Sequence, residues 1–96
     1  TIHVAGTTAP GDGPYEQAKA ALEIIDRALA DAGATLADVV RTVVYVTDIA
    51  HADGVTRAHG DVVADIRPAS TLVAVSALVK PEMVVEIEAY AIVHED

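Results

Sequence analysis

The stretch Met83-Val84-Val85-Glu86-Ile87-Glu88-Ala89-Tyr90-Ala91-Ile92 decides the fold, because its alternation separates two kinds of surface. Successive side chains of a strand point to opposite sides of a sheet, so Val85, Ile87, Ala89 and Ala91 share one side. Val84, Glu86, Glu88, Tyr90 and Ile92 share the other. The first set is wholly apolar and is expected to pack under helices. The second mixes two carboxylates with apolar groups, too charged for a dry core and too apolar for a plain solvated face. It reads as an intersubunit surface with a wet cleft.

Working outward, residues 39–47 are β-branched at seven of nine positions, which disfavours a helix and suits a buried central strand. Upstream, Ala18, Ala21, Leu22, Ile25, Ala28, Leu29 and Ala32 recur at spacings of three and four, the stripe of an amphipathic helix. Asp12, Gly13, Pro14 and Glu16 supply its start signals, and Gly33 is placed as the residue just past its end. Asp48 opens a second helix with the stripe Val55, Ala58, His59, Val62 and Val63, bounded by Pro68. Residues 2–5 form a first strand ended by Gly6, residues 7–13 a loop, residues 71–75 a short strand, and Lys80, Pro81 and Glu82 a turn. The predicted order is β-α-β-α-β-β, and right-handed crossovers put both helices on one face of a mixed sheet. This is an α+β fold, expected as a single domain over residues 1–96. The chain begins almost directly in its first strand, so an upstream partner strand is expected to lie outside this sequence.

Composition narrows the function classes. Apolar residues make up 52% of the chain, yet Trp and Phe are absent and Tyr occurs three times, so Val, Ala, Ile and Leu must build the core. A chain of this size buries only about 60% of its unfolded surface, which favours association with further copies. Fifteen acidic against six basic residues give a net charge of −9, which opposes nucleic acid. No apolar run reaches the roughly 20 residues that span a bilayer, and no secretory leader pattern is present. The reading is a cytoplasmic protein without a membrane partner; the absence of Cys also suits a reducing compartment.

Several chemistries lack support. His3, His51, His59 and His94 form no i, i+4 pair and have no Cys partner, so no metal site is expected. There is no G-x-S-x-G elbow and no Gly-rich phosphate loop. Glu86 and Glu88, two apart on one strand, do not by themselves flank a sugar bond.

Three segments carry a resemblance over residues 15–93. The run Ala32-Gly33-Ala34-Thr35-Leu36-Ala37-Asp38-Val39-Val40-Arg41-Thr42-Val43-Val44-Tyr45-Val46-Thr47-Asp48 is similar to the helix-turn-strand signature of the Rid family. Rid stands for reactive intermediate deaminase, formerly YjgF or L-PSP endoribonuclease. Arg67-Pro68-Ala69-Ser70-Thr71 and Val85-Glu86-Ile87-Glu88-Ala89 resemble its closing motifs. The resemblance implies a chorismate-mutase-like (bacillus-type) mixed sheet, assembled as a homotrimer with ligand clefts between subunits. It also implies hydrolysis of enamine and imine intermediates to a 2-oxo acid and ammonia, without metal or cofactor.

Residue by residue, Glu86 matches the water-positioning catalytic glutamate and Gly6 the glycine that lines the cleft. The family's arginine in Pro-Ala-Arg-Ser is replaced: here Pro68-Ala69 is followed by Ser70 and Thr71, removing the bidentate carboxylate clamp. Ala5 stands where the family has a serine, and the family's N-terminal aromatic falls upstream. Thr7, Ser70, Thr71 and Tyr90 are candidate substrate-binding residues. Among cations, Arg67 lies three residues from the empty position and joins them. Arg41 reads as a surface charge and Glu88 as a rim or interface charge. The functional expectation is a hydrolase of a reactive imine or related metabolite. The alternative is a non-enzymatic trimer that binds a small ligand or a protein partner, and the acidic balance opposes an endoribonuclease.

Overall fold

The computed structural model describes residues 1–94, so positions 95 and 96 of the expected domain lie outside the described residues. Four strands, β1 (Ile2–Thr7), β2 (Val39–Val46), β3 (Ala69–Ala74) and β4 (Val85–Ala91), form one sheet in the order β1-β4-β2-β3. β4 runs antiparallel to both of its neighbours, and β3 lies parallel to β2 at the sheet edge. Two helices, α1 (Pro14–Asp31) and α2 (Ala52–Val63), link the strands. The order β-α-β-α-β-β and the α+β class are as expected.

The register places Thr42, Val44 and Val46 of β2 beside Ala89, Ile87 and Val85 of β4. All six are buried beneath the helices. Leu22, Ile25 and Leu29 of α1 and Val55 and Ala58 of α2 close the same core. Burying each large aliphatic side chain contributes about 1.5–3 kcal/mol. Gly33, at φ 85°, ends α1 in the left-handed region that a glycine adopts without a Cβ penalty. Outside the core, the Tyr15 phenol donates to Asp61, and the Arg57 guanidinium lies 4.5 Å from the Tyr15 ring centroid, which clasps α1 to α2.

Several boundaries differ from the sequence reading, each for an identifiable reason. β1 continues through Gly6 to Thr7 because an irregularity between Val4 and Thr7 lets pairing resume at Thr7 and Ile87. β3 starts two residues early because Ala69 already pairs with Arg41 in the parallel ladder. β4 starts at Val85 rather than at residue 83. The Met83 amide turns back to the Lys80 carbonyl, and the Val84 amide donates to the Gln17 side chain. Asp48 caps a 3₁₀ turn, Ile49–His51, and α2 proper follows that turn.

Gln17 is 5% exposed and holds two loops against α1. Its amide nitrogen donates to the Gly11 and Glu82 carbonyls at 3.3 and 3.0 Å, and its oxygen accepts from the Val84 amide at 2.9 Å. The loop before α1 and the loop before β4 therefore meet on one buried side chain.

Candidate functional site

The uncovered face of the sheet carries the groups that strand parity assigned to it. Glu86, Glu88 and Tyr90 of β4 lie beside Tyr45, Val43 and Arg41 of β2. On the other side, Tyr90 faces His3 of β1, with ring centroids 5.0 Å apart in an edge-on arrangement. The Arg41 guanidinium sits 5.5 Å from the Tyr90 ring centroid.

The two carboxylates on this face have different surroundings. Glu88 accepts from the Tyr45 phenol at 2.8 Å and from the Tyr90 phenol at 2.9 Å. That hydrogen bonding raises both phenol pKa values; desolvation adds to the effect at Tyr45 and the charge of Glu88 adds to it at Tyr90. The phenols thus stay protonated as donors, and Glu88 is held from two sides. Glu86 receives neither phenol and packs against the backbone of Gly6. A Cβ added at Gly6 would lie 2.8 Å from the Glu86 carboxyl carbon and from one of its oxygens. Only a glycine admits this approach without moving the acid.

Of the residues singled out in the sequence, Glu86 and Gly6 are therefore brought together. Thr7 is close to Gly6 along β1, but its hydroxyl donates to the Ala5 carbonyl at 2.9 Å. Tyr90 shares the open face and gives its hydroxyl to Glu88. Thr71 pairs with Val43 and so takes the open-face parity of β3. Arg67 is exposed just beyond α2, at φ 53°, where its amide donates to the Val63 carbonyl. Its backbone ends the helix, which accounts for that conformation.

Ser70 belongs to the opposite side. It pairs with Thr42, and Thr42 Oγ1 lies 2.8 Å from Ser70 Oγ and 2.8 Å from His59 Nε2, so the three side chains form one hydrogen-bonded chain whose direction follows the His59 tautomer. Thr42 is 1% exposed and His59 is half-buried; burial lowers the His59 pKa below its usual value and keeps the ring neutral at pH 7. A cavity of about 180 Å³ between α2 and β3 is lined by Val44, Val55, Thr56, His59, Ser70 and Leu72. Sequence reasoning placed His59 on the α2 stripe but missed its link to Ser70. A titratable residue inside an otherwise apolar stripe was the available signal.

Within one chain Glu86 and Ser70 cannot hold the same small molecule, because they point to opposite faces of the sheet with β2 between their strands. Among the described residues, no group of three or more His, Asp or Glu side chains is placed to hold a metal ion. No helix among them is long and apolar enough to cross a membrane.

Comparison with known proteins extends this picture. The family model described as Endoribonuclease L-PSP matches residues 1–93. The uncharacterised protein SCO2049 of Streptomyces coelicolor is 38% identical over 98 residues, covering 93% of this chain and 73% of that protein. The crystal structure of Rv2704 from Mycobacterium tuberculosis, a member of the YjgF/YER057c/UK114 family, superposes with a TM-score of 0.93 at 50% identity. That match covers 95% of this chain and 77% of Rv2704. NMB1025 of Neisseria meningitidis, a member of the YjgF family, superposes with a TM-score of 0.92 at 30% identity, covering 99% of this chain and 81% of that one. The shared architecture is the chorismate-mutase-like fold.

Proposed function

This chain belongs to the endoribonuclease L-PSP family, also called YjgF or Rid, and we propose that it hydrolyses a reactive imine or related labile metabolite. Family membership supports a small-molecule-processing or endoribonuclease-like role. The net charge of −9 favours the small molecule over a polyphosphate substrate. The observation that carries the reading is Glu86, set against Gly6 with no phenol partner, on the uncovered face of the sheet.

In the proposed reaction Glu86 holds a water and takes its proton as the oxygen bonds to the imine carbon. The nitrogen is protonated, the resulting carbinolamine loses ammonia, and the carbonyl product leaves; imine plus water balances carbonyl compound plus ammonia. No cofactor enters these steps. Because Glu86 and Ser70 face opposite ways in one chain, we place the complete cleft between subunits of a cytoplasmic homotrimer, each copy forming one domain. Glu86 and Gly6 of one copy then meet the Ser70 cavity of another, with Thr7, Thr71, Tyr90 and Arg67 near the rim.

The test uses two imines made in situ: 2-iminopropanoate from an amino-acid oxidase and propan-1-imine from an amine oxidase. Semicarbazide intercepts whatever the protein leaves. Wild-type protein should shorten the lifetime of at least one imine, and Glu86→Gln should abolish the effect. No acceleration of either imine refutes hydrolase activity, and a monomeric mass by light scattering refutes the two-subunit cleft. The replacement of the clamp arginine by Ser70 favours one second reading, a trimer that binds its ligand without turning it over. That reading predicts saturable binding with no change in imine lifetime.

A further inference from the structure

Where the family motif has an arginine, this chain has a serine built into a hydrogen-bonded chain of three side chains. We infer that the cavity between α2 and β3 takes a small uncharged molecule with one carbonyl or imine group, whose polar end is read by Ser70, backed by Thr42 and His59. The inference rests on the proposed function for its cleft and narrows the substrate class of that site.

The lining residues give three reasons. First, Val44, Val55 and Leu72 are apolar, Thr56, Ser70 and His59 are the polar members, and none is Arg or Lys. A carboxylate entering here would shed water without gaining a cationic partner. The charge of the whole chain, −9, adds to that penalty.

Second, Ser70 offers one hydroxyl at the cavity, 2.8 Å from Thr42 Oγ1, which in turn lies 2.8 Å from His59 Nε2. In the tautomer with the His59 proton on Nε2, that chain leaves the Ser70 proton for an acceptor in the cavity. A carbonyl oxygen or imine nitrogen takes one such bond. A carboxylate calls for the two-pronged donor that an arginine would supply. Burial of His59 keeps its ring uncharged near neutrality, so it does not replace the missing cation.

Third, at about 180 Å³ the space lies below the roughly 300 Å³ at which pockets for drug-sized ligands begin, which suits a short-chain compound. His59 is a positioning residue: with its proton on Nε2 it orients the Thr42 hydroxyl, which in turn orients that of Ser70.

Pyruvamide and pyruvate have the same shape and differ in charge, which makes them suitable probes. Each is titrated into ¹⁵N-labelled protein, with the amide signals of Thr56, Ser70 and Leu72 followed. Pyruvamide should bind at least about tenfold more tightly, the ratio set by a 1.4 kcal/mol difference. Ser70→Arg should reverse the preference. His59→Leu should weaken pyruvamide by about tenfold, and His59→Gln, which keeps a donor near the same place, should restore it. The same spectra report whether each variant is folded.

Equal or tighter binding of pyruvate by wild-type protein overturns the inference. So does wild-type affinity for pyruvamide in a folded His59→Leu variant. A protein that prefers pyruvamide yet hydrolyses no imine upholds the inference and sinks only the hydrolase reading. One that hydrolyses imines but prefers pyruvate does the reverse.

Discussion

Replacing Gln17 by Glu keeps the shape of the side chain and changes one atom, so its cost follows from the hydrogen bonds alone. The oxygen that accepts from Val84 survives the change. The nitrogen that donates to Gly11 and Glu82 becomes a second carboxylate oxygen facing two carbonyls. Losing two bonds at about 1 kcal/mol each, with a charge added at a buried site, predicts destabilisation of about 3 kcal/mol at pH 7. With a urea m-value of about 1.5 kcal/mol/M, the unfolding midpoint should fall by about 2 M. The protein concentration is held constant, since association would contribute to stability. The buried carboxyl prefers its proton, so its folded pKa lies above the unfolded one and the deficit should shrink as pH falls towards 5. A variant within about 0.5 kcal/mol of wild type at pH 7 would refute the account of Gln17 as a two-loop tie, because effects of that size are ordinary for surface positions. A deficit unchanged between pH 7 and 5 would refute its electrostatic part.

Further outcomes follow from other sites. Gly6→Ala should fold and lose imine hydrolysis, since its Cβ would displace the Glu86 carboxyl; unimpaired turnover would dissociate Glu86 from the reaction. His59 is neutral in both folded and unfolded states above about pH 6.5. Below that value the unfolded chain takes up a proton that the folded site resists, so stability should fall with decreasing pH until the folded pKa is passed. Denaturation curves should show His59→Gln lacking this component, and identical pH dependence in the two proteins would contradict it. Gly33→Ala should cost about 1 kcal/mol by forcing an L residue into positive φ, whereas Arg67→Gly should gain a similar amount. Thermal unfolding of the two variants should move in opposite directions.

The sequence made the last strand readable because its pattern has period two and one of its faces is entirely apolar. The buried set Val85, Ile87, Ala89 and Ala91 is the set that alternation selects. The placement of Glu86 on the uncovered face follows from the same parity. What could not be read was register. Ser70 reaches Thr42 only because β3 lies parallel to β2 with those two residues paired, and nothing local to either strand specifies that alignment. The link to His59 depends further on how α2 crosses the sheet. The strand boundaries at Thr7 and Val85 are likewise set by remote partners, the ladder to Ile87 and the Gln17 side chain.

The position of β4 between β1 and β2 also governs when the sheet can assemble. β1 pairs with residues eighty or more positions later, Ile2 with Ala91, and β2 must wait for β4 on that same flank. Such distant pairings carry a large loop-closure cost and slow folding relative to locally connected domains. During synthesis α1 and the parallel pair β2 and β3 can form early. β1 precedes β2 and β3 in the chain, yet its ladder to β4 cannot form until β4 has left the ribosome.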